Sequence, residues 1–517
     1  MNKLQIDGES LSIEDVAKVA RDGIEVALSK QAVEKVRKSR EALERLVHDN
    51  KVLYGVTTGF GAFGNVAISA KDLKELQVNL IRSHSAGVGR PLDREIVRAM
   101  MLLRANTLAK GNSGIKLETL ETLIQMVNKG VHPVIPEKGS VGASGDLCPL
   151  SHMTLVMIGE GEAEYHGRVQ DGHEALKNAG IHEVQLDFKE GVALNNGTQM
   201  MTAVAGLAVF HAERLIKIAQ IAAALSLEAL EGISDAFDKR IHDVRPHRGQ
   251  TKIARNIRLL TRGSRLILSG EQAVRKELSP QDPYSLRCIP QVLGAVHDAL
   301  TYVEGVVEVE INSATDNPLV FPQDEVCLSG GNFHGQPIAV AMDFLATALT
   351  VAGNISERRT ARLIDGNLNR GLPKFLVDGS VAKGLHSGLM YAQYVAAALT
   401  SENKTLSFPA SVDSIPTSAN FEDFVSMGPT AARKASAILE NVECIVAIEL
   451  MCAAQAIDFR GPEKLGKGTR VAYELLRKHV SSLKKDRVLS KDIEALRKMV
   501  HEDVFLEAVE RVVGHLA

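Results

Sequence analysis

The residues with the clearest chemical potential lie in one stretch, Pro136-Glu-Lys-Gly-Ser-Val-Gly-Ala-Ser-Gly-Asp-Leu-Cys-Pro-Leu150. Gly139, Gly142 and Gly145 fall within seven residues and require tight, non-helical backbone. Ser144 inside this loop has several readings. A structural loop is the fate of most short Gly/Ser runs. A nucleophile elbow needs Gly-x-Ser-x-Gly, and Asp146 stands where the second glycine belongs. A phosphate-cradling loop needs a following Gly-Lys-Ser/Thr, and none is present. Taken singly, other candidates have bland readings too. Tyr54, among Gly55, Gly59, Gly61 and Gly64, reads as a core tyrosine near a turn, and Arg287 as a surface ion-pair residue.

These residues need elements to position them, and the chain supplies mostly helix. Helical patterns run over Arg94–Leu108 and Leu117–Lys129, between glycine-rich turns, with a small β element expected near Glu162–Val169. Beyond Asn196 the texture becomes alanine-rich, with helical stretches over Thr198–Ala236, Gly335–Leu363, Gly388–Ser401 and Thr430–Ala456. A helix apolar around most of its girth needs neighbours on several sides. The expected fold is therefore mainly α. A loop-rich N-terminal region over 1–197 carries the active-site loops, and a long antiparallel helical bundle over 198–517 is completed by other subunits. The charged stretch Ser481–Lys498 reads as a solvated terminal helix.

Composition narrows the partners. The 517 residues carry 60 Lys+Arg against 63 Asp+Glu, a net charge of −3 with no basic stripe, which gives nucleic acid no electrostatic footing. Five cysteines (Cys148, Cys288, Cys327, Cys444 and Cys452) are dispersed and never form Cys-x-x-Cys. That speaks against a disulfide framework or zinc ribbon, and no metal is expected. The N-terminus lacks the apolar stretch of a signal peptide. The apolar run Pro337–Gly353 contains Asp343, is short for a bilayer and reads as a buried helix. The cytoplasm, with no membrane partner, is the expectation.

The glycine-rich loop around Ser144 acquires a specific meaning from a resemblance. Gly139-Ser-Val-Gly-Ala-Ser-Gly-Asp-Leu-x-Pro-Leu150 closely resembles the signature of the histidine/phenylalanine/tyrosine ammonia-lyases. In that family Ala-Ser-Gly cyclises to 4-methylidene-imidazole-5-one (MIO), an electrophile that needs no external cofactor. Gly145 would offer an unhindered amide nitrogen to the Ala143 carbonyl, and Ser144 would lose its hydroxyl to leave an exocyclic methylene. Cys148 stands where the family often has alanine. Further family-like motifs follow in order: Tyr54-Gly-Val-Thr-Thr-Gly-Phe-Gly61, Ala193-Leu-Asn-Asn-Gly-Thr198, Tyr284-Ser-Leu-Arg-Cys-Ile-Pro-Gln291, Gly331-Asn-Phe-His-Gly335 and Ser401-Glu-Asn-Lys404. The resemblance thus spans nearly the whole chain and implies a homotetramer acting on an aromatic amino acid.

It also implies roles. Tyr54 would take the β-proton, and Arg287 would clamp the substrate carboxylate bidentately, with Tyr284 and Gln281 beside it. Asn196 would hydrogen-bond the MIO carbonyl, and Phe333 would flank the substrate. Arg82-Ser83-His84-Ser85 resembles the Ser-His pair of histidine enzymes, although some tyrosine-selective relatives share it. Glu422 falls where histidine enzymes place glutamate. Against this, Phe421 and Phe424 flank the acidic pair and Phe408 stands where that branch often has histidine. The three phenylalanines would make either a more apolar pocket or a helix repacked on a neighbour. The leading expectation is L-histidine converted to trans-urocanate; tyrosine or phenylalanine lyases and a 2,3-aminomutase remain alternatives.

Overall fold

The computed structural model describes residues 3–49, 51–69, 71–378 and 384–517. The chain is mainly helical and resolves into two units, each assembled from separated segments. One unit comprises Met1–Phe210, Val303–Asp343 and Pro409–Arg433. The other comprises His211–Tyr302, Phe344–Phe408 and Lys434–Ala517.

The first unit carries the loops. Helix Arg94–Ala109 is buried over nearly its whole length, Arg98 and Arg104 included. Helix Leu117–Lys129 ends at Gly130 in the left-handed conformation, the usual glycine C-terminal stop. The expected β element is a hairpin of Glu162–Tyr165 and Arg168–Asp171, extended by His132–Pro133. A second small sheet pairs Val88–Pro91 with Pro136–Lys138 and anchors the entrance to the Ala-Ser-Gly loop. Helix Leu147–Met157 fixes the exit of that loop.

In the second unit, long helical segments are tied by a buried ion pair. Arg359 and Glu449 are both fully buried, with Nε–Oε1 at 2.6 Å. Ser226 and Ser356 also donate to the Glu449 carboxylate, at 2.7 and 2.6 Å. A buried charge pair is tolerable only when its oxygens are satisfied in this way.

Helix boundaries depart from expectation in places. The stretch expected over Thr198–Ala236 is helical only over Gln199–Ala229. Glu231 then turns left-handed at φ 48°, and a Cβ on Gly232 would lie 2.2 Å from Leu227. The apolar run from Pro337 belongs to helix Gln336–Ile364 and is mostly buried. Ser481–Lys498 is not one terminal helix: Leu489–His501 starts late, and Val504–Val513 follows it.

Candidate active site

A cavity of about 590 Å³ lies within the first unit. Tyr54, Ser83, His84, Ser144, Asn196 and Glu422 all line it, with Phe60, Phe63, Leu76, Leu80 and Val192 supplying apolar wall. Six residues spread from position 54 to 422 therefore meet at one place.

The Ala-Ser-Gly loop is held from both sides. Ala143 packs against Val425 and Met427, and Met427 N–H donates to the Val141 carbonyl at 2.9 Å. Gly145 is left-handed at φ 70°, and a Cβ there would lie 2.1 Å from the Gly197 carbonyl oxygen. Only glycine fits. The next residue, Asp146, is fully buried; its N–H donates to the Gly197 carbonyl at 2.6 Å and its Oδ2 accepts from Met201 N–H at 2.9 Å. Burial pushes this carboxyl up to about 7, against the pull of the helix-terminal N–H groups of Met200 and Met201.

Ser144 Oγ donates to Glu422 Oε1 at 3.0 Å, and Glu422 Oε2 accepts from Thr417 Oγ1 at 2.8 Å. The segment that carries Glu422 is strained. Ser418, Ala419 and Asn420 have φ of 52°, 53° and 64°, rare for non-glycine residues. Paired backbone bonds between Thr417 and Glu422 hold it in place. A Cβ on Gly61 would lie 2.8 Å from Ser418 Oγ, so the Tyr54 loop abuts this segment.

Tyr54 Oη accepts the Gly61 N–H at 2.7 Å. Burial raises its phenol above the ordinary 10.0; the Gly61 bond opposes this and the Glu422 charge adds to it. The resting side chain is a neutral phenol. His84 Nδ1 lies 2.9 Å from the Leu80 carbonyl, which can only accept, so Nδ1 carries the proton and Nε2 presents a lone pair. Burial lowers the His84 pKa below 6.5, against that bond and the Glu422 charge, and the ring is neutral at pH 7. Asn196 Nδ2 donates to the Asn317 carbonyl at 3.0 Å, while its buried Oδ1 has no partner among the described residues.

The remaining expected residues lie elsewhere. Gln281, Tyr284 and Arg287 lie in the second unit and are absent from the cavity lining. Tyr284 is 71% exposed, the Arg287 guanidinium sits 4.7 Å from its ring, and Arg287 Nε is buried without a partner among the described residues. Tyr284–Arg287 forms one helical turn, which puts both side chains on one side as the spacing implied. Phe333 is half-buried in a loop and does not line the cavity. Nor do Phe408, Phe421 and Phe424, which are 74%, 60% and 61% exposed. They do not make this cavity more apolar.

Sequence reasoning passed over several residues. Asn79 lines the cavity one helical turn before Ser83. Buried Gln77 accepts from Val192 N–H at 3.2 Å and so ties the His84 helix to the Asn196 segment. The i, i+4 spacing of Asn79 to Ser83 was a readable signal; Gln77 offered none. Outside the cavity, His211, Glu443 and His501 bring potential metal-ligand atoms within 4.8 Å. The two rings stack 4.2 Å apart at 18°, an arrangement in which their in-plane lone pairs do not converge on one ion.

A mainly helical chain with this cavity defines a class: residues 11–478 match the aromatic amino acid lyase model, and the chain belongs to that family. Among its relatives, it is 58% identical over 96% of each chain to a histidine ammonia-lyase of Caldanaerobacter subterraneus. It is 55% identical over 99% of each chain to the histidine ammonia-lyase of Alkaliphilus oremlandii. A solved tyrosine aminomutase of Streptomyces globisporus superposes with a TM-score of 0.96 at 41% identity, covering 100% of both chains.

Proposed function

We propose that this enzyme is a carbon–nitrogen lyase, a histidine ammonia-lyase that converts L-histidine to trans-urocanate and ammonia. The observation that carries it is Ser144 held on Glu422 at 3.0 Å in a cavity that also contains Tyr54 and His84. The relatives at 55% and 58% identity are named for this activity along their full length.

The electrophile is proposed to be MIO, formed from Ala143, Ser144 and Gly145. The residues fit that group. Gly145 has no room for a side chain, Ala143 is packed small, and Asn196 lines the cavity with a second Nδ2 hydrogen beyond the one given to Asn317. When formed, MIO supplies an electron sink without an external cofactor. The chain's own residues do the rest. His84 Nε2 accepts a ring N–H, which an imidazole or a phenol O–H can satisfy and a phenyl ring cannot. The Glu422 carboxylate favours a ring able to carry positive charge, and this selects histidine over tyrosine. Tyr54 takes the β-proton at Oη. Gln281, Tyr284, Arg287 and Phe333 are proposed to join the site from another copy in a homotetramer, Arg287 clamping the substrate carboxylate. Tyr302, Val309, Val340 and Phe344 leave apolar surface on long helices that supports such packing. Phe421 then packs at that interface. Five free cysteines support a reducing, cytoplasmic setting.

Purified enzyme supplied with histidine, tyrosine or phenylalanine, and followed by the absorbance of the conjugated product, is expected to turn over histidine. Turnover of tyrosine alone would reject the substrate, and β-amino acid product would place it with the aminomutases.

The pH profile follows from the same groups. A base whose pKa lies above 10.0 is active only in its rare deprotonated form, so kcat/KM rises with pH. His84 is already neutral at pH 7 and adds no limb there. The expected plot climbs about tenfold per unit above roughly pH 7. A flat profile over this range would contradict Tyr54 as base.

A further inference from the structure

Arg104 lies in helix Arg94–Ala109 with no part of its side chain exposed. Its guanidinium donates to the Asn196 carbonyl at 2.8 Å, to Gln199 Oε1 at 2.7 Å and to the Ala193 carbonyl. All three acceptors are neutral. Two are carbonyls at the end of helix Glu190–Asn195, the negative pole of its dipole. Burial lowers the guanidinium pKa to about 10, opposed by the charge of Asp316, and the group stays cationic. Burying a charge against neutral acceptors is costly and needs a reason.

The reason lies on the other side of the segment Arg104 grips. A Cβ on Gly197 would lie 2.5 Å from Arg104 Nη1, 2.5 Å from Gln199 Oε1 and 2.7 Å from Thr315 Oγ1. A Cβ on Gly145 would in turn lie 2.1 Å from the Gly197 oxygen. Gly145 and Gly197 are bridged in parallel. Arg104, Gly197 and Gly145 therefore stand in series with no space between them. Gln199 is braced in turn by Nε2 donating to Thr107 and Thr315, at 3.0 and 2.8 Å.

We propose that Arg104 is a positioning residue for the self-cyclisation of Ala143-Ser144-Gly145: it fixes the Asn196–Gly197 backbone as a wall that keeps Gly145 against Ala143. The proposal rests on the MIO reading. In the step, Gly145 N bonds to the Ala143 carbonyl carbon. The carbonyl oxygen departs as water with the protons of the Gly145 and Ser144 amide nitrogens. Ser144 Oγ departs as a second water, taking the Ser144 Cα hydrogen. Nothing is oxidised or reduced. Holding a weak amide nucleophile at its target is the kind of task that positioning accelerates.

The test is the intact mass of the purified full-length protein, with a thermal melt on each sample. Wild type is expected two waters below its sequence mass. Arg104→Met keeps the aliphatic length without donors. It is expected to fold yet show the deficit in less than about a tenth of its molecules; Arg104→Lys, which keeps the charge but not the fork, should show it in about half. A merely structural role would lower the melting temperature and leave the deficit complete in the folded protein, and that result overturns the proposal. Should Arg104→Met fail to fold, Arg104→Lys decides alone: a complete deficit refutes and an incomplete one supports. A wild type at full sequence mass would remove the prosthetic group itself, and the proposal with it.

Discussion

Ser144→Ala is expected to abolish turnover and to return the chain to its full sequence mass. The hydroxyl that donates to Glu422 is the one that must leave as water for a methylene to exist. Alanine cannot lose it. The fold should survive, because Ser144 is only half-buried and its one side-chain hydrogen bond among the described residues is that to Glu422. Loss of kcat/KM by at least about 10³-fold, roughly 4 kcal/mol of barrier, is the expected scale. The mass measurement separates this from ordinary damage. A variant that keeps the two-water deficit, or keeps its activity, would show that Ser144 is not the precursor.

Tyr54→Phe is expected to do the opposite in one respect. Its mass deficit stays, because the phenol takes no part in cyclisation, while kcat/KM falls by about 10² to 10⁴-fold, the usual contribution of a positioned acid–base group. The phenyl ring keeps the apolar contacts of the loop; only the Gly61 N–H loses its acceptor. The rising limb of the pH profile should vanish with the hydroxyl. Near-normal activity with an unchanged profile would remove Tyr54 from the role.

Much of this was legible beforehand, for physical reasons. Leu117–Lys129 could be read to the residue, because its periodicity is clean and Gly130 stops it. The glycines around Ser144 announced a loop that backbone crowding confirms at Gly145. Tyr54, Ser83, His84, Asn196 and Glu422 meet Ser144 in one cavity, as family motifs implied. Other features carry no local signature. Arg104 reads in sequence as one of several polar residues in its helix, and its grip on Asn196 exists only once two distant segments meet. The helix after Ala229 was overrun because a left-handed Glu231 defies its own propensity. The three phenylalanines could not be placed from composition, since exposure rather than type decides whether they face the substrate.

The wall behind the tripeptide and the helix Leu73–His84 are separate pieces of the chain. On the proposed reading, one governs whether a reactive group comes into being, and the other, with Glu422, governs which ring is admitted to it. Inheritance can therefore act on them independently. Changes along Leu76, Asn79, Leu80, Ser83 and His84 can redirect the enzyme towards a new amino acid while the maturation machinery is left alone. On the same reading, changes at Gly145 or Gly197 would extinguish the chemistry whatever the substrate. An ancestral scaffold built this way can diversify its diet without reinventing its reactive centre.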